Sequence, residues 1–469
     1  MNAELWSLSA TEIAAAVRDG KVSCREVVQA HLYRIQAINP SVNAVTVVLA
    51  EEALRIAEQA DQAVAQGGKP GPLTGVPFTI KENIDLQGSA TTQAVTALEN
   101  AIAPVDAPHV AQLKAAGAIP IGRTNLPDFG LRYHTTNALR GPTINPWNAS
   151  RTAEGSSGGD AAALATGMTP LGMGNDYGGS LRYPSQCCGT AALRPTFGRV
   201  TRASSLAASE SPLTIQMFAV NGPMARRVSD LRLALSHMSG PDARDPWWTP
   251  APLKGPKIKP PITVAVTVNP VNQGVDPDVE AGVRKAATAL QDAGYELELT
   301  DPPSVEEASS IWSRLVMEEI EEIVQPQIRP IASEEALKFL DLSLQENKSN
   351  CAPAYIQSFA ERNRIAREWS QFLEKYPIIL GPVSTDPPFE VGFDIAGPES
   401  AGRVFASMRL VTTVNLLGLP SVSVPVGVSA TLPQGVQIIS SRYREDLCLD
   451  AAEAIERKLG TFTPIEPIT

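Results

Sequence analysis

Apolar residues recur at two different spacings along this chain, and the change from one to the other sets the first expectations. Ser9-Ala-Thr-Glu12 and Ser23-Cys-Arg-Glu26 each place a serine three residues before a glutamate, ahead of apolar residues at helical spacing. This is the capping-box pattern, in which serine and glutamate side chains each accept a backbone N–H at a helix start. In the second of these helices Val28, Leu32 and Ile35 fall on one face. A third helix, rich in Ala and Glu, is expected over about 50–66. The run Gly-Gly-Lys-Pro-Gly-Pro then stops it, since neither Gly nor Pro continues a helix cheaply.

From residue 75 the spacing shortens. GVPFTI (75–80) is expected as a short buried strand, with Lys81 at its end. HVAQLKAAG then reads as helix, AIPIG as strand, GDAAALATG as helix and PLGMG as strand. Such alternation predicts an α/β architecture. Seven prolines between 241 and 261 make that stretch an extended connection. After it come strand ITVAVTV, a helix near 276–293, and a helical excursion over about 304–376. The late strands PIILGPV, PSVSVPVG and GVQIIS are short and strongly apolar, as members of a sheet begun before residue 240 would be. A single domain over 1–469 is therefore expected, rather than two units divided at the prolines.

Composition narrows the function classes. Hydrophobic content of 43% with 19% charged residues fits a soluble globular chain with a sizeable core. A net charge of −11 without a basic patch argues against nucleic acid or an anionic membrane as partner. No eighteen apolar residues run together, and the N-terminus carries Glu4 and Glu12, so neither a membrane span nor a secretory signal is expected. The five cysteines, Cys24, Cys187, Cys188, Cys351 and Cys448, are odd in number and scattered. Reduced thiols and a cytoplasmic location are the expectation. The four histidines lie far apart, and no His-Glu-x-x-His or paired-cysteine cluster occurs, so no metal and no organic cofactor is expected.

The candidate chemistry sits in two glycine-serine loops. GNDYGGSLRYP (174–184) presents Ser180 behind two glycines, and Gly155-Ser156-Ser157-Gly158-Gly159 precedes the helix from Asp160. Centred on Ser157, the second loop fits the nucleophile elbow of α/β-hydrolases. That motif requires a later histidine, and only His237 lies downstream. A phosphate loop would need Gly-Lys-Ser/Thr, which is missing. Lysine can replace histidine as base when burial keeps it neutral, and Lys81 stands at a strand's carboxyl end, where α/β sheets place their ligands. From the residues alone Lys81 could equally snorkel to solvent.

GVPFTIKENID (75–85), RTAEGSSGGDAAALATG (151–167) and LGMGNDYGGSLRYPSQCCGTAALRPTFGRV (171–200) together resemble the amidase signature family, in order and over most of 73–230. VTTVNLLGLPSVSVPVG (411–427) and GVQIIS (435–440) resemble that family's C-terminal sheet elements. The resemblance implies a large twisted mixed β-sheet covered by helices on both faces. It implies Ser180 as the acylated nucleophile and Ser156 as a bridging serine behind a cis peptide bond. Lys81 is then the base, receiving the Ser180 proton through Ser156. The backbone N–H groups of Tyr177, Gly178, Gly179 and Ser180 form the expected oxyanion hole. Ser157, Asp176 and Arg182 are supporting residues, the last two expected as an ion pair, and Gly130, Leu131, Tyr177 and Gln186 are expected in the substrate pocket.

Some positions depart from the family pattern. Glu154 replaces a usual glycine and is expected as a solvated charge. Asn175 and Tyr177 replace small hydroxyl residues, Gln186-Cys187-Cys188 a segment mostly of Ala/Phe-Cys type, and Arg194 a lysine. The expected reaction is hydrolysis of a small, mainly apolar carboxamide through an acyl-enzyme, with aryl amides or carbamates as variants. The expected partner is that small molecule alone, for a monomer or homodimer. The alternative is the catalytic component of a tRNA-dependent glutamine amidotransferase, although Tyr183-Pro184 stands where that branch carries Gln-Pro. A non-enzymatic binding module is disfavoured by the intact Lys81, Ser156 and Ser180.

Overall fold

The computed structural model describes residues 2–206, 210–346 and 352–468; Cys351 lies outside them. Eleven strands form one sheet. In chain order they are β1 (Val45–Val48), β2 (Pro77–Lys81), β3 (Ile119–Thr124), β4 (Leu171–Asp176), β5 (Ala191–Arg194) and β6 (Val220–Ala225). Then follow β7 (Thr263–Val266), β8 (Glu296–Leu299), β9 (Ile378–Pro382), β10 (Ser421–Ser429) and β11 (Leu432–Ser440). Their order across the sheet is β1-β3-β2-β4-β6-β5-β10-β11-β9-β7-β8. The β2 strand runs parallel to β3 and β4, and β7 parallel to β8 and β9, while the remaining pairs are antiparallel.

Both faces are apolar because successive strand residues point to opposite sides. Val264, Val266, Ile378, Leu380 and Ile438 belong to one core cluster, and Ala265, Ile379 and Ile439 between them belong to the other. Helices Pro277–Asp292 and Glu445–Leu459 bury their apolar stripes in the first cluster. Val305–Glu319 and Arg409–Leu417 bury theirs in the second. Both predicted capping boxes are formed, at Ser9 with Glu12 and at Ser23 with Glu26. No helix among the described residues is long and apolar enough to cross a membrane.

One expectation is corrected. Residues 411–417, read with the C-terminal sheet, lie in the helix Arg409–Leu417, and only Ser421–Ser429 of that segment is strand. Val411, Thr412, Thr413 and Val414 are all buried there, so packing overrides their β-branched preference.

The proline-rich 241–261 segment carries no helix or strand, and β5 on one side of it pairs with β10 on the other. Protease nicking within 241–261 is expected to leave two fragments that co-elute on size exclusion. Separate elution of folded halves would show two independent units.

Candidate active site

The site follows from the parallel pairing of β2 and β4. Ile80 is in register with Met173, so both strands deliver their carboxyl ends to one edge. Lys81 ends β2 there, while β4 leads through Asp176 into the loop that carries Ser180. Ser156 reaches the same edge from just before the helix Gly158–Ala165, which leads into β4. The Gly155–Ser156 peptide bond is cis. Ser157 N–H donates to Ser180 O at 3.2 Å, tying the two serine loops together.

Lys81 is completely buried, so the snorkelling alternative is excluded. Its Nζ lies 2.6 Å from Ser156 Oγ and 2.8 Å from Asn175 Oδ1. Burial lowers its pKa to about 7, against the pull of Asp160 and Asp176. A neutral amine has two N–H groups and one lone pair. Asn175 Oδ1 can only accept, so it takes an N–H and leaves the lone pair for the Ser156 hydroxyl. Asn175 is itself oriented by donating from Nδ2 to Asn83 Oδ1 at 2.9 Å. Sequence reasoning noted Asn175 only as a departure; its contact with Lys81 becomes visible once β2 and β4 are paired. Ser156 and Ser180 both line the cavity described below, and Ser180 Oγ makes no hydrogen bond among the described residues.

Of the four backbone N–H groups expected to converge on an oxyanion, that of Gly179 is already donated to Asp176 Oδ1 at 2.9 Å. Those of Tyr177, Gly178 and Ser180 have no acceptor among the described residues. Gly179 has φ +105°, and a Cβ there would stand 2.6 Å from Val411 Cγ1, so only glycine fits the turn.

Asp176 and Arg182 form the expected pair, with two hydrogen bonds of 3.0 Å between fully buried groups. Asn415 Nδ2 donates to Asp176 Oδ1 at 2.8 Å, and Arg194 Nη1 to the Asp176 carbonyl at 3.0 Å. Burial alone would raise the Asp176 pKa, but Arg182 and Arg194 hold its carboxyl well below the usual range.

Two expectations fail here. Glu154 is 2% exposed rather than solvated. Its Oε1 accepts from Thr152 Oγ1 and from Phe389 N–H, and burial pushes its pKa up to about 8. Gln186 does not line the cavity. Its Oε1 accepts from Ser384 N–H at 3.0 Å, where the turn of its helix directs it.

Gly130, Leu131 and Tyr177 do line the cavity, whose volume is about 1040 Å³. A Cβ on Gly130 would approach Ser156 Oγ to 3.1 Å. Much of the wall is apolar, formed by Tyr133, Trp312, Val316, Met317, Phe339 and Phe405. Trp312, which sequence reasoning missed, lies against the loop that carries Ser180. Its ring is 5.9 Å from that of Tyr177, and a Cβ on Gly178 would stand 2.8 Å from it.

The geometry agrees with what the chain resembles. The Amidase family model matches residues 26–449. An indoleacetamide hydrolase of Bradyrhizobium diazoefficiens is 43% identical over 98% of this chain and 88% of its own length. The A-type chain of the glutamyl-tRNA(Gln) amidotransferase of Carboxydothermus hydrogenoformans is 32% identical over 97% of this chain and 98% of its own. Among solved structures, 6-aminohexanoate cyclic dimer hydrolase complexed with substrate superposes with a TM-score of 0.83, at 29% identity over 99% of both chains. With its family motifs in order and its sheet and cavity in place, the chain belongs to the amidase signature family and is a hydrolase of carbon–nitrogen bonds.

Proposed function

We propose that Ser180, Ser156 and Lys81 hydrolyse small, mainly apolar carboxamides, with arylacetamides of the indoleacetamide type as the preferred class. The observation that carries this reading is the 2.6 Å contact between Ser156 and a lysine buried enough to be neutral near pH 7. Lys81 accepts the Ser156 proton as Ser156 takes that of Ser180, and Ser180 Oγ attacks the amide carbon. Charge growing on the carbonyl oxygen meets the N–H groups of Tyr177, Gly178 and Ser180. Ser156 then protonates the leaving nitrogen, ammonia departs, and water hydrolyses the acyl-enzyme by the same relay in reverse. Asn175 keeps the amine aimed at Ser156. The aromatic cavity wall takes the acyl group, by analogy with the indoleacetamide hydrolase at 43% identity. The chain works without a companion protein, as a monomer or homodimer in the cytoplasm.

The test is purified chain alone on indoleacetamide, phenylacetamide, an anilide, an aryl carbamate and glutamine. Hydrolysis of the arylacetamides with release of ammonia is expected. Glutaminase activity that appears only with added partner proteins would replace this reading with the amidotransferase one. kcat/KM is expected to rise with pH through about 7 and then level off, because the base is the neutral form of Lys81.

A further inference from the structure

The cavity has a second, more polar wall, drawn from residues near 85, 202–206, 210–216 and 244–247. Three of its charged groups, Asp85, Asp245 and Arg244, are engaged by neighbouring residues. Asp85 accepts from Thr91 Oγ1 at 2.8 Å, and its other oxygen takes Ser204 Oγ together with the N–H and Oγ of Ser205. Asp245 accepts the backbone N–H groups of Arg202 and Trp247 at 2.7 and 2.9 Å. Arg244 is paired with Asp242. Glu210 is exposed.

Arg202 also lines the cavity, and like the exposed Glu210 its side chain has neither a hydrogen bond nor an ion pair among the described residues. Asp245, the carboxylate whose charge it feels most, spends its oxygens on backbone N–H groups. Tyr177, which also interacts with the guanidinium electrostatically, has its hydroxyl 2.6 Å from Thr214 Oγ1. Arg202 therefore stands on the cavity wall near the nucleophile loop, partly exposed and unpaired. A guanidinium left open in a substrate cavity offers a planar fork of donors that matches the two oxygens of a carboxylate.

We propose that Arg202 forms a carboxylate subsite, so that the enzyme favours amides whose apolar body ends in a carboxylate remote from the scissile bond. This rests on the proposed amide hydrolysis and names a further feature of its substrate. The apolar wall holds the body of the molecule, and Arg202 fixes its far end.

The experiment compares the monoamides of linear dicarboxylic acids, from succinic to suberic, with neutral alkanamides of matching length. At one length the carboxylated amide is expected to show kcat/KM about tenfold or more above its neutral partner. The difference should lie in KM and shrink with added salt. Arg202→Gln is expected to bring the ratio to about one, and Arg202→Lys to keep part of it. The same ligands are titrated calorimetrically into Ser180→Ala, and into Ser180→Ala combined with Arg202→Gln, so that the preference is also read as a ratio of Kd values without turnover. A ratio near one at every length in unmodified enzyme and in Ser180→Ala, or a preference that survives Arg202→Gln, would overturn the subsite. Failure to hydrolyse any amide, with the Kd preference intact, would instead refute the proposed reaction and leave the subsite standing. Should Arg202→Gln fail to fold, the drop in the ratio with Arg202→Lys decides.

Discussion

Ser180→Ala is expected to abolish both turnover and covalent labelling by a phosphonylating probe, whereas Lys81→Ala abolishes most turnover but retains slow labelling. The first change removes the atom that forms the acyl-enzyme. The second leaves that atom in place and removes the acceptor of its proton, so a loss of about 10⁴-fold in kcat is expected. Residual activity of Lys81→Ala should climb with pH beyond the wild-type plateau, because hydroxide must replace the missing amine. Ser156→Ala should resemble Lys81→Ala, and the double variant should be far less than additive, since both serve one proton transfer. Near-normal activity of Lys81→Ala at pH 7 would place the base elsewhere. Stability should respond to loss of the amine in the opposite direction. The folded-state pKa of Lys81 lies below its ordinary value, so the folded chain holds fewer protons than the unfolded one between about 7 and that ordinary value. Stability therefore rises with pH across that window, and the cost of burying the amine is fully present below it. Lys81→Met should accordingly melt above wild type at pH 6.

Asp176→Ala is expected to be among the most destabilising single changes in the chain, by about 3–5 kcal/mol. Its carboxylate balances Arg182 and Arg194, which are themselves completely buried. It also holds the N–H of Gly179, so the nucleophile loop should loosen together with the core. Chemical denaturation reads the first effect, and slower labelling of Ser180 in protein that is still folded reads the second. Asp176→Leu combined with Arg182→Met should recover part of the stability and none of the labelling rate. Because the carboxyl titrates below its ordinary range, its contribution is complete above that range and is lost as pH falls through the folded value. A variant as stable as wild type would mean the pair is ornamental.

The candidate catalytic edge was legible because its pieces are short and continuous. Lys81, Ser156 and Ser180 each sit in a run whose residues are local neighbours, and helix starts such as Ser9 and Ser23 are encoded within four residues. What escaped depends on contacts between distant segments. The β6 strand contains Gly222 and Pro223, which argue against a strand, yet Pro223 pairs with Met173 inside the sheet. The Ala-Ala-Leu of β5 suits a helix as well as a strand. The helical excursion expected over about 304–376 takes in Val305–Glu319 but could not say that Trp312 would meet Gly178. Glu154 was misread because a lone glutamate in sequence shows none of the partners, Thr152 and the Phe389 backbone, that settle it indoors. Gln186 lies only six residues from the nucleophile, but one helical turn was enough to aim it at Ser384 instead.

The cavity draws its proposed proton-transfer groups from the chain before residue 200 and much of its apolar wall from helices after residue 300. Descendants of such a protein can exchange one acyl preference for another by drift in the later segment, while the earlier one keeps its chemistry. Met317, on that wall, lies on the helix Val305–Glu319 with Trp312. Trp312 is set apart, because its ring rests on Gly178 beside the proposed oxyanion site. At that position a gain in new specificity and a loss in rate are expected to be inherited together.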